Sequence, residues 1–199
     1  DLHARDTTYD YRSGVGSALW YARRNFPEIL NAITLLAAYT ATPTKYHVRC
    51  LRRIFKYLHT HADQLITFYP DADYTDTAVN LTCFTDADWA ADRISRRSVS
   101  GYTIFLNGNL IAAACKYHPT QCLSTMEAEY MGEVYACKEM LFLIHLIGEL
   151  SPHLELTLPA PLFGDNNAAI KFADEQAVNA RTKHIDLRHH FLKTCIANK

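Results

Sequence analysis

Apolar positions between residues 17 and 39 recur near helical spacing, at Leu19, Ala22, Phe26, Ile29, Leu30, Ile33 and Leu36, with Pro27 in the first turn of a second helix. Thr42-Pro43-Thr44 breaks that pattern and caps the next helix, Lys45 to Leu58. There Val48, Leu51, Phe55 and Leu58 form one stripe, and Lys45, Arg49, Arg52, Arg53 and Lys56 take the other side. Beyond an acidic, turn-rich stretch at residues 70–78 the period changes. Val79 to Phe84, Gly101 to Leu106 and Leu110 to Lys116 read as strands, the last two joined by the hairpin signal Asn107-Gly108-Asn109. A long helix follows from Thr125 to Leu150 behind a Ser124 cap. Leu162-Phe163-Gly164 is a short strand, Asn167 to Ala173 a helix, and Lys183 to Ala197 has helical periodicity. The order strand, strand, strand, helix, strand, helix, helix predicts a mixed sheet with packed helices, an α/β or α+β domain.

Composition narrows the class. With 49% apolar residues and only seven Gly and seven Pro in 199, the chain is neither disordered nor collagen-like, and its length allows one to one and a half domains. Twenty Lys+Arg against 21 Asp+Glu give no overall cationic field, so a nucleic-acid partner would be held by local patches. One such patch is legible. No acidic residue occurs between Glu28 and Asp63, and solvated helix faces usually mix signs, so the row from Lys45 to Lys56 fits a phosphate backbone. Six cysteines without a C-x-x-C argue against a disulfide framework or zinc ribbon, and predict reduced thiols in a cytoplasmic or nuclear setting. No apolar run approaches a membrane span, no signal peptide is visible, and the polar start at Asp1 suggests a fragment of something longer.

Carboxylates end several elements. Asp86 closes the first strand, Glu127 and Glu129 lie at the start of the long helix, Asp165 follows the short strand, and Asp186 sits in the last helical stretch. Strand ends and helix starts gather at one sheet edge, where uncompensated carboxylates repel unless cations neutralise them. Oxygen-only donors select Mg²⁺ or Mn²⁺, and paired ions suit phosphodiester hydrolysis. Taken singly, each of these residues also fits a turn, a cap or a favourable meeting with the helix dipole.

The local sequences carry a specific resemblance. Thr85-Asp86-Ala87-Asp88-Trp89-Ala90, Arg96-Arg97-Ser98-Val99-Ser100-Gly101-Tyr102, Leu123-Ser124-Thr125-Met126-Glu127-Ala128-Glu129-Tyr130, Ala136-Cys137-Lys138-Glu139, Gly164-Asp165-Asn166-Asn167-Ala168-Ala169 and Ala180-Arg181-Thr182-Lys183-His184-Ile185-Asp186-Leu187-Arg188 resemble, in order, the ribonuclease H domain of copia-type (Pseudoviridae) retrotransposon polyproteins. The N-terminal part, through Tyr11-Arg12-Ser13-Gly14-Val15-Gly16-Ser17, Pro27-Glu28-Ile29 and Pro43 to Leu58, is similar to the end of the reverse transcriptase in the same polyproteins. No Tyr-x-Asp-Asp occurs, so polymerisation is not expected. The departures are Asn179 for His, Ala91 for Gly, Ala112-Ala113-Ala114 for a Trp-bearing strand, and Phe26 for Arg.

The resemblance implies a helical thumb- or connection-like segment over 1–70, a linker over 71–80 and a ribonuclease H-like fold over 81–199, with a five-stranded mixed sheet. It implies two Mg²⁺ ions, or Mn²⁺, held by Asp86, Glu129, Asp165 and Asp186, with Glu127 and Asp88 as neighbours or alternative ligands. His184 would assist proton transfer or product release. Glu129 is favoured over Glu127 because the related enzymes follow their Glu as in Glu129-Tyr130-Met131-Gly132. The activity implied is hydrolysis of the RNA strand of an RNA–DNA hybrid during reverse transcription, in a virus-like particle or nucleus, beside the polymerase of the same polyprotein. Ser98, Ser100 and Asn166 would make polar contacts to the hybrid, and Arg93, Arg96, Arg97, Arg181, Lys183 and Arg188 phosphate contacts, unless those cations line a solvated loop. A non-catalytic tether for the polymerase is the alternative, and an integrase-like transferase is disfavoured by the Arg181-to-Asp186 segment.

Overall fold

The computed structural model describes residues 2–70, 78–92, 94–174 and 186–197, excepting the side chains at 174, 186–190 and 197. The chain forms two compact units, Asp1–Thr67 and Phe68–Lys199.

The first unit is helical: α1 (Tyr11–Arg24), a 3₁₀ turn (Pro27–Ile29), α2 (Leu30–Ala37) and α3 (Lys45–Thr60). α1 starts six residues before the apolar period suggests, because Asp10 caps it by accepting the Ser13 N–H at 3.1 Å, offsetting the poor helix propensity of Gly14 and Gly16. Gly14 lies against α3. A Cβ there would lie 3.0 Å from Leu51 Cδ2 and 3.1 Å from the Tyr9 hydroxyl. At the start of α3 the N–H groups of Lys45 and Tyr46 donate to Ala4 and Leu2 carbonyls, and His47 Nδ1 accepts the Thr44 N–H. On α3 Val48, Leu51, Ile54 and Leu58 are buried; Phe55, expected inside, is half-buried because Ile54 takes the inner position. The buried Tyr11 hydroxyl donates to the Leu36 carbonyl at 2.9 Å.

The second unit is built on β2 (Leu81–Asp88), β3 (Val99–Leu106), β4 (Asn109–Tyr117) and β6 (Leu162–Phe163), in the order β4-β3-β2-β6. β2–β3 and β3–β4 are antiparallel, and β2–β6 is parallel. These are the four strands that the hydrophobic pattern reads. The fifth implied by the resemblance is not in this sheet among the described residues. Instead β1 (Ala78–Val79) and β5 (Glu155–Leu156) pair separately, and Pro159 and Pro161 then remove the donors a longer strand would need. Asn107 and Gly108 turn β3 into β4 with φ of 46° and 76°, the two positive values that a two-residue type I′ hairpin demands.

β2 alternates strictly: Leu81, Cys83, Thr85 and Ala87 are buried, while Phe84, Asp86 and Asp88 are exposed. The buried face packs under α4 (Thr125–Leu150), which also meets α5 (Asn167–Asp174) and α6 (Asp186–Ala197). Leu81, Cys83, Tyr102, Ile104, Ala136 and Met140 form the core between sheet and helix. Tyr130, Val134, Ala169, Phe172, Ala173 and Leu192 form a second core among the three helices. Gly132 allows the close approach of α4, since a Cβ there would sit 3.0 Å from Ser100 Oγ and 3.2 Å from Thr85 Oγ1.

Candidate active site

Three elements of the second unit each deliver one carboxylate to the same place. Asp86 lies near the end of β2 on its open face, its Oδ1 accepting the Ala87 N–H at 2.9 Å. Beside it, β6 runs parallel in the register Phe84↔Phe163, which carries Asp165, two residues past the strand, up to the level of Asp86. Gly164 makes this passage possible: a Cβ there would be 3.2 Å from Glu133 Oε1. Glu129, in the second turn of α4, completes the group, and one oxygen from each of Asp86, Glu129 and Asp165 falls within 4.8 Å of the others.

The electrostatics follow from burial. Asp86 and Asp165 are exposed, but Glu129 keeps only 6% of its surface. Its carboxyl is pushed up to about 7, chiefly by burial, then by Asp86 and Asp165; the Ala87 N–H opposes them weakly. Such a group is only partly ionised near neutrality, and a cation between the three carboxylates would displace the remaining proton. The three could hold such a cation.

Glu127 has a different task. Ser124 Oγ accepts the Glu127 N–H at 3.1 Å, and Glu127 Oε2 accepts the Leu123 N–H at 2.6 Å, a reciprocal cap on α4 that aims its first turns at the sheet edge. Asp88 is exposed at the end of β2 and outside the trio. Trp89 forms a wall beside the strand end, its Nε1 donating to the Cys122 carbonyl at 3.0 Å.

Two expected contacts are corrected. Ser98 and Ser100 are buried, at 0% and 3% exposure, and cannot meet a polymer. Ser98 Oγ accepts the Ala90 N–H, which fixes a left-handed residue (φ 52°) just past the strand, and Ser100 Oγ lies 2.6 Å from His118 Nε2. His118 Nδ1 is 3.1 Å from Cys122 Sγ, so this buried network joins the loop after β2 to the one before α4. Asn166 also has structural work, its Oδ1 accepting the Ala168 and Ala169 N–H groups at the start of α5. Arg97 is half-buried, donating to the His118 carbonyl and lying over the Tyr117 ring, whereas Arg96 is exposed. Asp186 opens α6, which also contains Arg188; neither side chain is described. Arg93, Asn179, Arg181, Lys183 and His184 lie outside the described residues.

Glu133 is a carboxylate that the motifs do not single out. One turn beyond Glu129, it is 3% exposed and faces Gly164. Its signal in the sequence is the i, i+4 spacing from Glu129, which repeats an acidic residue on the inner side of a mainly apolar helix.

Among known proteins, the retrovirus-related Pol polyprotein from transposon TNT 1-94 of Nicotiana tabacum is 30% identical over 186 residues, 94% of this chain, and that from transposon RE1 of Arabidopsis thaliana is 30% identical over 184 residues, 92%. The chain is homologous to a segment of transposon Pol polyproteins. This Pol-related chain spans only 13% and 12% of those two proteins. The secreted RxLR effector protein 161 of Plasmopara viticola is 33% identical over 133 residues, 67% of the Pol-related chain and 90% of that protein. The Pol alignments extend over both units, and the effector's over two thirds of the chain. No family model and no solved structure matches it. No helix among the described residues is long and apolar enough to cross a membrane.

Proposed function

We propose that the chain is the ribonuclease H domain, with the tail of the reverse transcriptase, of a copia-type Pol polyprotein, and that it hydrolyses the RNA strand of RNA–DNA hybrids. The observation that carries this reading is the meeting of Asp86, Glu129 and Asp165 within 4.8 Å, in a chain homologous to Pol polyproteins. The oxygen-only donor set fits Mg²⁺ or Mn²⁺, which when bound would lower the pKa of a water and neutralise charge on the leaving 3′-oxygen. Asp86 and Asp165 stand exposed at the solvent edge, where a polymer can reach them. Glu129, with little exposed surface, supplies the inner carboxylate whose ionisation a cation favours. Asp186 is the fourth carboxylate in this proposal, and His184 assists proton transfer or product release.

RNA would be told from DNA by its 2′-hydroxyls, with phosphate contacts from the exposed Arg96 and from Arg93, Arg181, Lys183 and Arg188. The test is cleavage of a labelled hybrid in Mg²⁺ or Mn²⁺ by the parent, Asp86→Asn and Asp165→Asn. The parent should leave 3′-OH and 5′-phosphate ends, and both variants should be inactive. Equal activity in all three would sink the assignment. Metal-independent binding without cleavage by the parent would favour a tether for the polymerase.

A further inference from the structure

One buried imidazole links the two elements that carry Asp86 and Glu129. His118, just past β4, is 1% exposed. Its N–H donates to the Ser98 carbonyl at 2.9 Å, and its own carbonyl accepts from Arg97 Nε, so the backbone that bears the ring is fixed. Nε2 lies 2.6 Å from Ser100 Oγ, Nδ1 lies 3.1 Å from Cys122 Sγ, and the ring meets Tyr135 edge to face at 5.7 Å. A neutral imidazole can serve both polar partners at once, as donor to one and acceptor from the other.

These contacts locate α4 against the sheet. A Cβ on Gly132 would meet Ser100 Oγ at 3.0 Å, so the hydroxyl beside His118 lies against the helix one turn past Glu129. Cys122 stands two residues before the Ser124 cap, and Tyr135 six residues beyond Glu129. Glu129 is bracketed by them. The strand side is tied to the same ring: Asp86 pairs with Gly101, the neighbour of Ser100, and the Cys122 carbonyl accepts the Trp89 indole N–H at 3.0 Å. Asp165 arrives by a different route, through β6. Placing an imidazole beneath a helix costs desolvation that an apolar side chain would avoid. What its hydrogen bonds add is direction, since they fix distances that apolar packing leaves looser. Resting on the reading of the carboxylates as a cation site, we infer that His118 is a positioning residue, which sets the separation of Glu129 from Asp86 by engaging Ser100 and Cys122 together.

The experiment pairs two readouts on the full 199-residue chain. Mn²⁺ affinity is read from the free-ion EPR signal, and hydrogen exchange in EDTA follows the Trp89 indole and the Ala128 amide, with the Asn107 amide at the other end of the sheet as reference. Cys122→Ala should weaken Mn²⁺ binding roughly tenfold, the scale for groups that orient a metal ligand, and Cys122→Ser should recover most of that loss. His118→Asn, too short to reach both partners, should match Cys122→Ala; if it does not fold, the two Cys122 variants decide. Exchange at Trp89 and Ala128 should quicken about tenfold in Cys122→Ala with Asn107 unmoved. Ile104→Val, a methylene lost from the core of the same sheet, should lower the urea midpoint and leave Mn²⁺ affinity unchanged. The inference is overturned if Cys122→Ala binds Mn²⁺ as the parent does, if Cys122→Ser recovers nothing, or if exchange rises equally at Asn107. A parent that binds no Mn²⁺ overturns the cation site itself, and the exchange readout then stands alone: unchanged rates in Cys122→Ala would overturn the positioning role as well.

Discussion

The two compact units answer the same solvent with opposite charge. Residues 1–67 hold nine Lys+Arg and five Asp+Glu, while residues 68–199 hold eleven and sixteen. In the helical unit the cations stand on the outer side of α3, held apart by helical geometry. In the mixed unit, carboxylates from three elements converge at one strand end, where sheet register forces them together. A net charge of −1 is therefore an average over two unlike fields. A divalent cation should find the mixed unit, and its carboxylate site can be disabled without changing the charge of the helical one.

The largest effect should come from Asp86→Asn or Asp165→Asn. Hydrolysis of a hybrid should fall by at least ~100-fold, the scale of losing one directly acting polar group, while hybrid binding in EDTA stays within about twofold. A parallel loss of binding would show that the two fields are not separable. Next is Gly132→Val, which drives side-chain atoms into Ser100 and Thr85. Overpacking there should cost about 1–3 kcal/mol, read in urea as an earlier transition of the mixed unit with the helical transition unmoved.

The pH response sharpens the contrast further. Glu129 is raised to about 7 in the folded protein from an ordinary carboxyl value, so the folded state binds its proton more tightly than the unfolded state does. Without divalent ions, melting temperature should fall as pH rises from about 4.5 to about 7 and then level. Mn²⁺ competes with that proton, so the gain in melting temperature it gives should be larger at about pH 8 than at about pH 5.5. A gain independent of pH would remove Glu129 from the ligand set. The smallest effects are the caps: Ser124→Ala and Asp10→Ala should each cost about 1 kcal/mol, the first confined to the mixed unit and the second to the helical one.

What the chain disclosed in advance was governed by range. The strands, the Asn107-Gly108 turn and the Ser124 cap depend on neighbours within a few residues, and all were legible. Glu127 and Glu129 could not be separated by spacing, because the reciprocal cap through Leu123 becomes visible only in three dimensions. Ser98 and Ser100 were misread for a related reason. Hydroxyl groups look like surface contacts until the partners that satisfy them are known, and those partners are His118, 18 residues beyond Ser100, and Ala90, eight residues before Ser98. The buried Glu133 has no motif of its own, only its i, i+4 spacing from Glu129, which many exposed helix faces share. The start of α1 was hidden by its two glycines, which mask a helix that its cap and its packing on α3 sustain.

One small bridge at the far end of the sheet bears on all of this. The Asn80 N–H donates to Asn107 Oδ1 at 2.7 Å, and the Asn107 N–H donates back to the Asn80 carbonyl at 2.9 Å. That pair indexes β2 against the hairpin turn roughly 20 Å from Asp86, at about 3.3 Å per residue. Were the index to slip by one residue, Thr85 would turn outward and Asp86 would be thrust beneath α4. The turn therefore acts like the zero mark of a ruler. An error there would be quiet, giving a molecule that still assembles a sheet but whose three carboxylates never meet.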